Sequence, residues 1–206
     1  MKGKEYYNWL KDNWAQTGLV LAFYLTLFLM VFVRKTDFAV FLILLQTPLY
    51  MLHESEEYLF PGGFARFFNR DIFKVEAEDE PLGRDFIFFV NIGLIWVLLP
   101  LFGLLSTISL SFGLWIPYFT IFAGLSHIAL GIKARKLYNP GLIVSLILNI
   151  PVGSAVVLYL SRKGYLSSHF FNIHLLIGLG LNLLLPIAGG IVFRNYRKRL
   201  MKRKLL

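Results

Sequence analysis

The sequence predicts an all-α, polytopic integral membrane protein, a bundle of about six transmembrane helices forming one transmembrane domain, 1–206, with both termini cytoplasmic. Three observations carry the prediction. The 206 residues are 57% hydrophobic and only 16% charged, whereas a water-facing surface normally brings the charged share to about a quarter. The uncharged residues fall in long runs, each able to cross about 30 Å of hydrocarbon as a helix rising about 1.5 Å per residue. The basic residues crowd onto alternate connections between those runs. This composition excludes a soluble cytosolic enzyme, and the lack of cysteine excludes disulfides, thiolate metal sites and cysteine nucleophiles.

The uncharged runs are 13–33, 38–52, 86–132, 137–161 and 164–193. The first gives a helix over about 15–34, too long for a signal-peptide core and followed by no small-residue cleavage site, so it is expected to remain in the mature protein. The second continues through a polar segment to Phe60, where Pro61-Gly62-Gly63 stops it, giving 37–60. The third run would measure roughly 70 Å as one helix. It therefore divides at the Ser- and Thr-rich stretch ending in Gly113, into 86–105 and 113–133. Pro140 opens the fifth helix, 141–161, with Asn139 placed to cap it. The sixth covers 171–194 and runs into a basic tail, 194–206. Loop 61–85 begins aromatic and basic and turns acidic; it reads either as an amphipathic segment on the inner leaflet or as a lid over a cavity.

Six spans put both termini on one side. All but four of the 21 basic residues then share that side, the other holding only Arg34, Lys35, Arg162 and Lys163, so the positive-inside rule expects a multi-pass protein of the cell membrane with cytoplasmic termini. The tail carries Arg194, Arg197, Lys198, Arg199, Lys202, Arg203 and Lys204 beside a span. Its expected partner is the anionic lipid of the inner leaflet rather than nucleic acid.

All twelve carboxylates lie at or before Asp85. An intramembrane acid can therefore come only from the second span, where His53, Glu54, Ser55, Glu56 and Glu57 sit near its cytoplasmic end. Helical spacing stacks His53 on Glu57 at i and i+4, with Glu56 flanking and Glu54 pointing elsewhere. Ionisable groups at such depth are costly unless paired or metallated, so the cluster reads as a functional site; were the helix to end earlier, it would be a solvated helix end. Counting residues from the cytoplasmic end of each span puts His53, Asn91, His127 and Asn149 at one level, roughly 8–12 Å inside the boundary. Asn182 lies deeper and can close the same cavity from above, whereas His169 and His174 lie near the outer end and are left out.

The expected ligand set is His53, Glu57 and His127, with Glu56 as the neighbouring acid for general base work and Asn91, Asn149, Asn182 and Asn139 as supporting groups. Two imidazoles and a carboxylate with a position left for water suit a catalytic zinc, or a non-haem iron or manganese. Without metal, His53 and Glu57 form an acid and base pair. The pattern is neither a His-Glu-x-x-His zincin helix nor the paired Glu-x-x-His of a di-iron bundle.

His53-Glu54-Ser55-Glu56-Glu57, read as H-x-x-E-E, together with Phe60-Pro61-Gly62-Gly63, His127 and the turn Tyr138-Asn139-Pro140-Gly141, resembles the HXXEE family of small prokaryotic integral membrane proteins. The resemblance covers roughly the second span to the fifth. It implies a membrane fold and singles out His53, Glu56 and Glu57; it implies no particular reaction.

The reading that joins these observations is a metal-dependent membrane enzyme, a hydrolase or isomerase acting on a lipid or other apolar substrate at the cytoplasmic leaflet. The alternatives are a small ion-coupled transporter, for which the outer half offers few polar groups, and a non-catalytic module that binds a metal or a lipid.

Overall fold

The computed structural model describes residues 3–167 and 171–204. Within them the chain forms six long helices, α1 (Gly3–Val33), α2 (Phe38–Tyr58), α3 (Arg84–Leu105), α4 (Leu110–Ala134), α5 (Leu142–Arg162) and α6 (Ile173–Lys202), each long and apolar enough to cross a membrane. No strand occurs among the described residues.

Burial decides which helices carry the site. In their most apolar windows α2 is 72% buried and α4 56%, against 28% for α3 and α5 and 17% for α1 and α6. The two central helices are thus wrapped by four whose outer faces stay uncovered, α1 lying along α2 and α6 along α4. Phe23, Tyr24, Val31 and Phe32 on α1 are exposed, as are Leu184 and Ile187 on α6. Ile43, Ile95, Leu99, Ile116, Phe119 and Leu160 fill the interior beneath them.

Local chemistry explains the breaks. Asp37 caps α2 by accepting from Val40 N at 3.0 Å. Pro48 offers no N–H to the carbonyl four residues back, and the helix is interrupted at Leu45, next to that carbonyl. At its other end α2 stops at Tyr58; Gly62 there takes φ of +73° and returns its N–H to Glu56 O at 3.1 Å. Two helices outrun the spans expected from composition. α1 starts at Gly3 and pairs its polar first turns with α3, Lys11 with Asp85 and Asp12 with Arg84. The last helix continues to Lys204, because Leu, Met, Arg and Lys are good helix formers and nothing breaks the run. Loss of hydropathy therefore does not mark the end of a helix.

The loop after α2 folds back over the bundle. A short helix, 64–72, is clasped to the following strand of chain by Asn69, whose Oδ1 accepts from Leu82 N at 2.9 Å and whose Nδ2 donates to Glu78 O at 2.9 Å. Arg66 and Arg70 both reach the Glu78 carboxylate, and Lys136 reaches Asp71 at 2.7 Å. Phe64 and Phe68 of this helix point into the bundle and line its main cavity. The loop therefore forms a roof.

α6 rests on α4 through one close approach. A Cβ placed on Gly178 would lie 2.8 Å from Phe119 N and 2.9 Å from Trp115 O, both rigid backbone, whereas one on Gly180 would meet nothing within 4 Å. Replacing Gly178 by Ala is therefore expected to cost about 1–3 kcal/mol by forcing the helices apart. The Gly180→Ala protein should unfold close to wild type in the same thermal or denaturant titration, and equal destabilisation of the two would refute the contact.

Candidate metal centre

α2 and α4 press His53, Glu57 and His127 together where they cross. His53 and Glu57 are one turn apart on α2, and His53 Nε2 lies 3.6 Å from Glu57 Oε1. His127 of α4 brings its Nε2 to 3.3 Å from the same oxygen. The imidazole centroids are 4.7 Å apart, and one ligand atom from each of the three residues lies within 4.8 Å of the others. All three side chains are buried. Such a group can hold a metal ion.

The tautomer of His127 follows from its surroundings. Asn139 Nδ2 donates to His127 O at 2.9 Å, which turns Asn139 Oδ1 toward the ring, 2.8 Å from Nδ1. An amide oxygen only accepts, so Nδ1 carries a proton, and in the neutral ring Nε2 keeps its lone pair facing Glu57. Lone pair and carboxylate oxygen at 3.3 Å repel unless a proton or a cation lies between them. Behind His53, Ser145 Oγ stands 3.5 Å from Nδ1.

Consecutive glutamates do different work. Glu57 turns to the imidazoles, while Glu56, about 100° around the helix, reaches the first turn of α5. Its Oε1 accepts from Ile143 N and Tyr138 Oη, each at 3.1 Å, and its Oε2 accepts from Val144 N at 2.6 Å. A carboxylate from one helix thus caps another, where the helix dipole favours it. Partial burial and the Glu56 carboxylate push the Tyr138 phenol up to about 12, so Tyr138 stays a donor through neutral pH. Asn139 was expected to cap α5; its side chain is instead spent on His127, and it sits too early in the turn, its backbone O taking Leu142 N at 3.0 Å. Gly141 completes the cradle at φ +97°, where a Cβ would stand 2.4 Å from His127 Cε1.

A cavity of about 300 Å³ opens in front of Glu57 and His127. Its walls come from α2, α3, α4, α6 and the roof and are mostly apolar. Asn91 and Asn182 both line it. Asn91 Nδ2 donates to Ile87 O at 2.8 Å and to Tyr58 Oη at 3.3 Å, and Asn182 joins Ser126 Oγ and Phe119 O. Asn149 is fully buried, one turn beyond Ser145, with neither side-chain polar atom hydrogen-bonded in the structure. The expected common level thus yields one compact centre, His53 with His127, and two cavity or helix-packing asparagines. Glu54 is buried with neither oxygen hydrogen-bonded and stands outside the centre. His174 lies in the first turn of α6, away from the cluster; His169 lies outside the described residues.

Sequence reasoning missed Ser145, Tyr58 and Tyr138. Ser145 was within reach, being four residues before Asn149 on the same helix face. Tyr138 was not, since its partner is 82 residues away.

The profile of a family described as "Protein of unknown function with HXXEE motif" matches residues 44–157, more than half the chain and inclusive of every residue of the cluster. No curated protein and no solved structure matches.

The cradle can be dissected by substitution. Gly63→Ala meets open space at φ +94° and carries only the backbone cost, about 1 kcal/mol. Gly141→Ala adds the clash with His127 and should cost about 1–3 kcal/mol more. Tyr138→Phe, which leaves Glu56 its two backbone donors, should cost about 1 kcal/mol. Chemical unfolding of the three variants in detergent checks the order.

Proposed function

This chain belongs to the HXXEE family, and from the motif's placement we propose that it is a multi-pass membrane protein, its termini cytoplasmic, that holds one divalent metal ion on His53, Glu57 and His127 and uses it on an apolar or lipid-like substrate. The observation that carries this is the single oxygen, Glu57 Oε1, faced by two imidazole Nε2 atoms, with His127 Nδ1 engaged on the far side by Asn139. A tetrahedral ion with bonds of about 2.0–2.1 Å would separate its ligands by about 3.4 Å; the two edges to Glu57 Oε1 are 3.3 and 3.6 Å, and all three ligand atoms lie within 4.8 Å of one another. A cation there also offsets the cost of a carboxylate among apolar helices.

Two histidines and one carboxylate leave a position open, as catalytic rather than structural zinc sites do; the same set suits non-haem iron or manganese. Glu57 and His127 line the cavity, so an ion held there would be reached from it. Bound there, the ion supplies Lewis acidity and an acidified water. The residues of this chain do the rest. Asn139 holds the His127 tautomer, Ser145 backs His53, and Phe64 and Phe68 keep bulk water from the floor of the cavity. Glu56, with both oxygens engaged on α5, serves here as a positioning residue. The outer, exposed faces of α1 and α6 contact the bilayer, and the basic tail meets anionic lipid of the inner leaflet.

A second reading, a module that binds metal without catalysis, is favoured by one fact: the one acid flanking Glu57 on the motif is committed to the helix cap.

Elemental analysis of protein purified without chelator tests the metal. About one zinc, iron or manganese per chain is expected in the wild type and in Glu56→Gln, and less than about a tenth of that in His53→Ala and His127→Ala. No metal in any sample after attempted reloading would leave a proton-bridged His and Glu pair in its place.

A further inference from the structure

The cavity in front of the centre has a polar floor, apolar walls and one cation at its lip. We propose that it takes a single-chain anionic amphiphile, with the carboxylate or phosphate head on Lys133 and the chain running inward toward Glu57 and His127. The proposal rests on the metal reading for what happens at the floor, but not for the binding itself.

The walls argue for a chain. Phe64, Phe68, Phe86, Val90, Leu130 and Leu185 line the space, and burying methylenes against them contributes about 0.8 kcal/mol each. Asn91, Ser126 and Asn182 among them already have partners. Asn91 donates to Ile87 O and Tyr58 Oη, the single Ser126 hydroxyl proton is shared between Phe122 O and Asn182 Oδ1, and Asn182 Nδ2 reaches Phe119 O. A ligand rich in hydroxyls or amides would find few partners there.

Charge fixes the direction. Lys133 lines the cavity, is exposed, and forms no ion pair with a described residue. Among the described residues it is the only lysine or arginine on the lining, and Glu57 at the floor is the only carboxylate. An anionic head is drawn to the lip, where Lys133 and water meet its charge, while the apolar walls between lip and floor offer it few partners. Ala129 and Pro186 line the same cavity and are exposed, so the space reaches the outer surface of the bundle next to Lys133, where a chain can enter sideways. Six residues of α4 separate Lys133 from His127, about 9 Å along the axis. The centre therefore meets the amphiphile in its chain, not at its head group.

Photo-cross-linking of the full chain in zwitterionic phosphatidylcholine nanodiscs tests this. The probes are a long-chain fatty acid bearing a chain diazirine and the matching neutral alcohol. The acid is expected to label peptides spanning 86–91 and 123–133 at least about tenfold more than the alcohol does. Lys133→Gln should lower acid labelling about tenfold and Lys133→Arg restore it, the size of one charge-assisted contact. Competition by dodecanoate or by dodecyl phosphate identifies the preferred head, and either supports the proposal. Equal labelling by acid and alcohol, labelling unchanged in Lys133→Gln, or labelling confined to other peptides would overturn it. The same experiment on His53→Ala separates the two claims. Labelling that persists there while metal is absent leaves the amphiphile site standing alone, and a metal-loaded wild type that takes no acid overturns the amphiphile and spares the metal.

Discussion

One carboxylate oxygen faced by two imidazole nitrogens, inside a bundle whose core is mostly apolar, is the constraint the architecture serves. Glu57 is buried, so its charge must be met largely by neighbours fixed in place. That requirement explains why α2 and α4, which bear the cluster, are the two helices enclosed by the others. It also explains why an apparently ordinary turn, Tyr138 to Gly141, is built so closely around His127. Asn139 sets the ring's proton, Gly141 gives the ring room, and Tyr138 ties the turn back to α2 through Glu56.

The motif is therefore two devices in five residues. His53 and Glu57 share a helix face and make half of the centre; Glu56, one residue away, faces α5 and fixes where that helix begins. Because α5 carries Ser145 to the back of His53, the cap and the centre are coupled. The glutamate that touches no imidazole still sets the geometry around one. Neutralising it would loosen α5 before it altered any charge at the floor of the cavity.

Much of this was legible in the sequence, for identifiable reasons. Six helices could be counted because charge is excluded from hydrocarbon, and His53 could be paired with Glu57 because helical spacing is local. His127 was reached by counting turns from the end of its own span, which works when spans run side by side across the same thickness. What failed to show was anything that depends on which way a helix faces another. Glu56 and Glu57 are chemically identical neighbours, and only packing tells which meets α5. Asn139 looked like a cap because Asn commonly caps; its actual partner is twelve residues back on the preceding helix. The lengths of α1 and the last helix escaped because composition reports the solvent around a helix, not its hydrogen bonding.

The roof has a consequence for how the interior meets water. Phe64 leans on His127 and tilts against Phe68, Phe68 meets Phe73 edge to face, and Phe73 lies flat on Phe193 of the last helix at 4.5 Å. The imidazole is thereby linked by an unbroken file of rings to the helix that forms the far wall. Wetting the centre from the loop side and unseating the end of that helix are then not separate events, and the local dielectric around Glu57 is set in part by a contact more than 130 residues further along the chain.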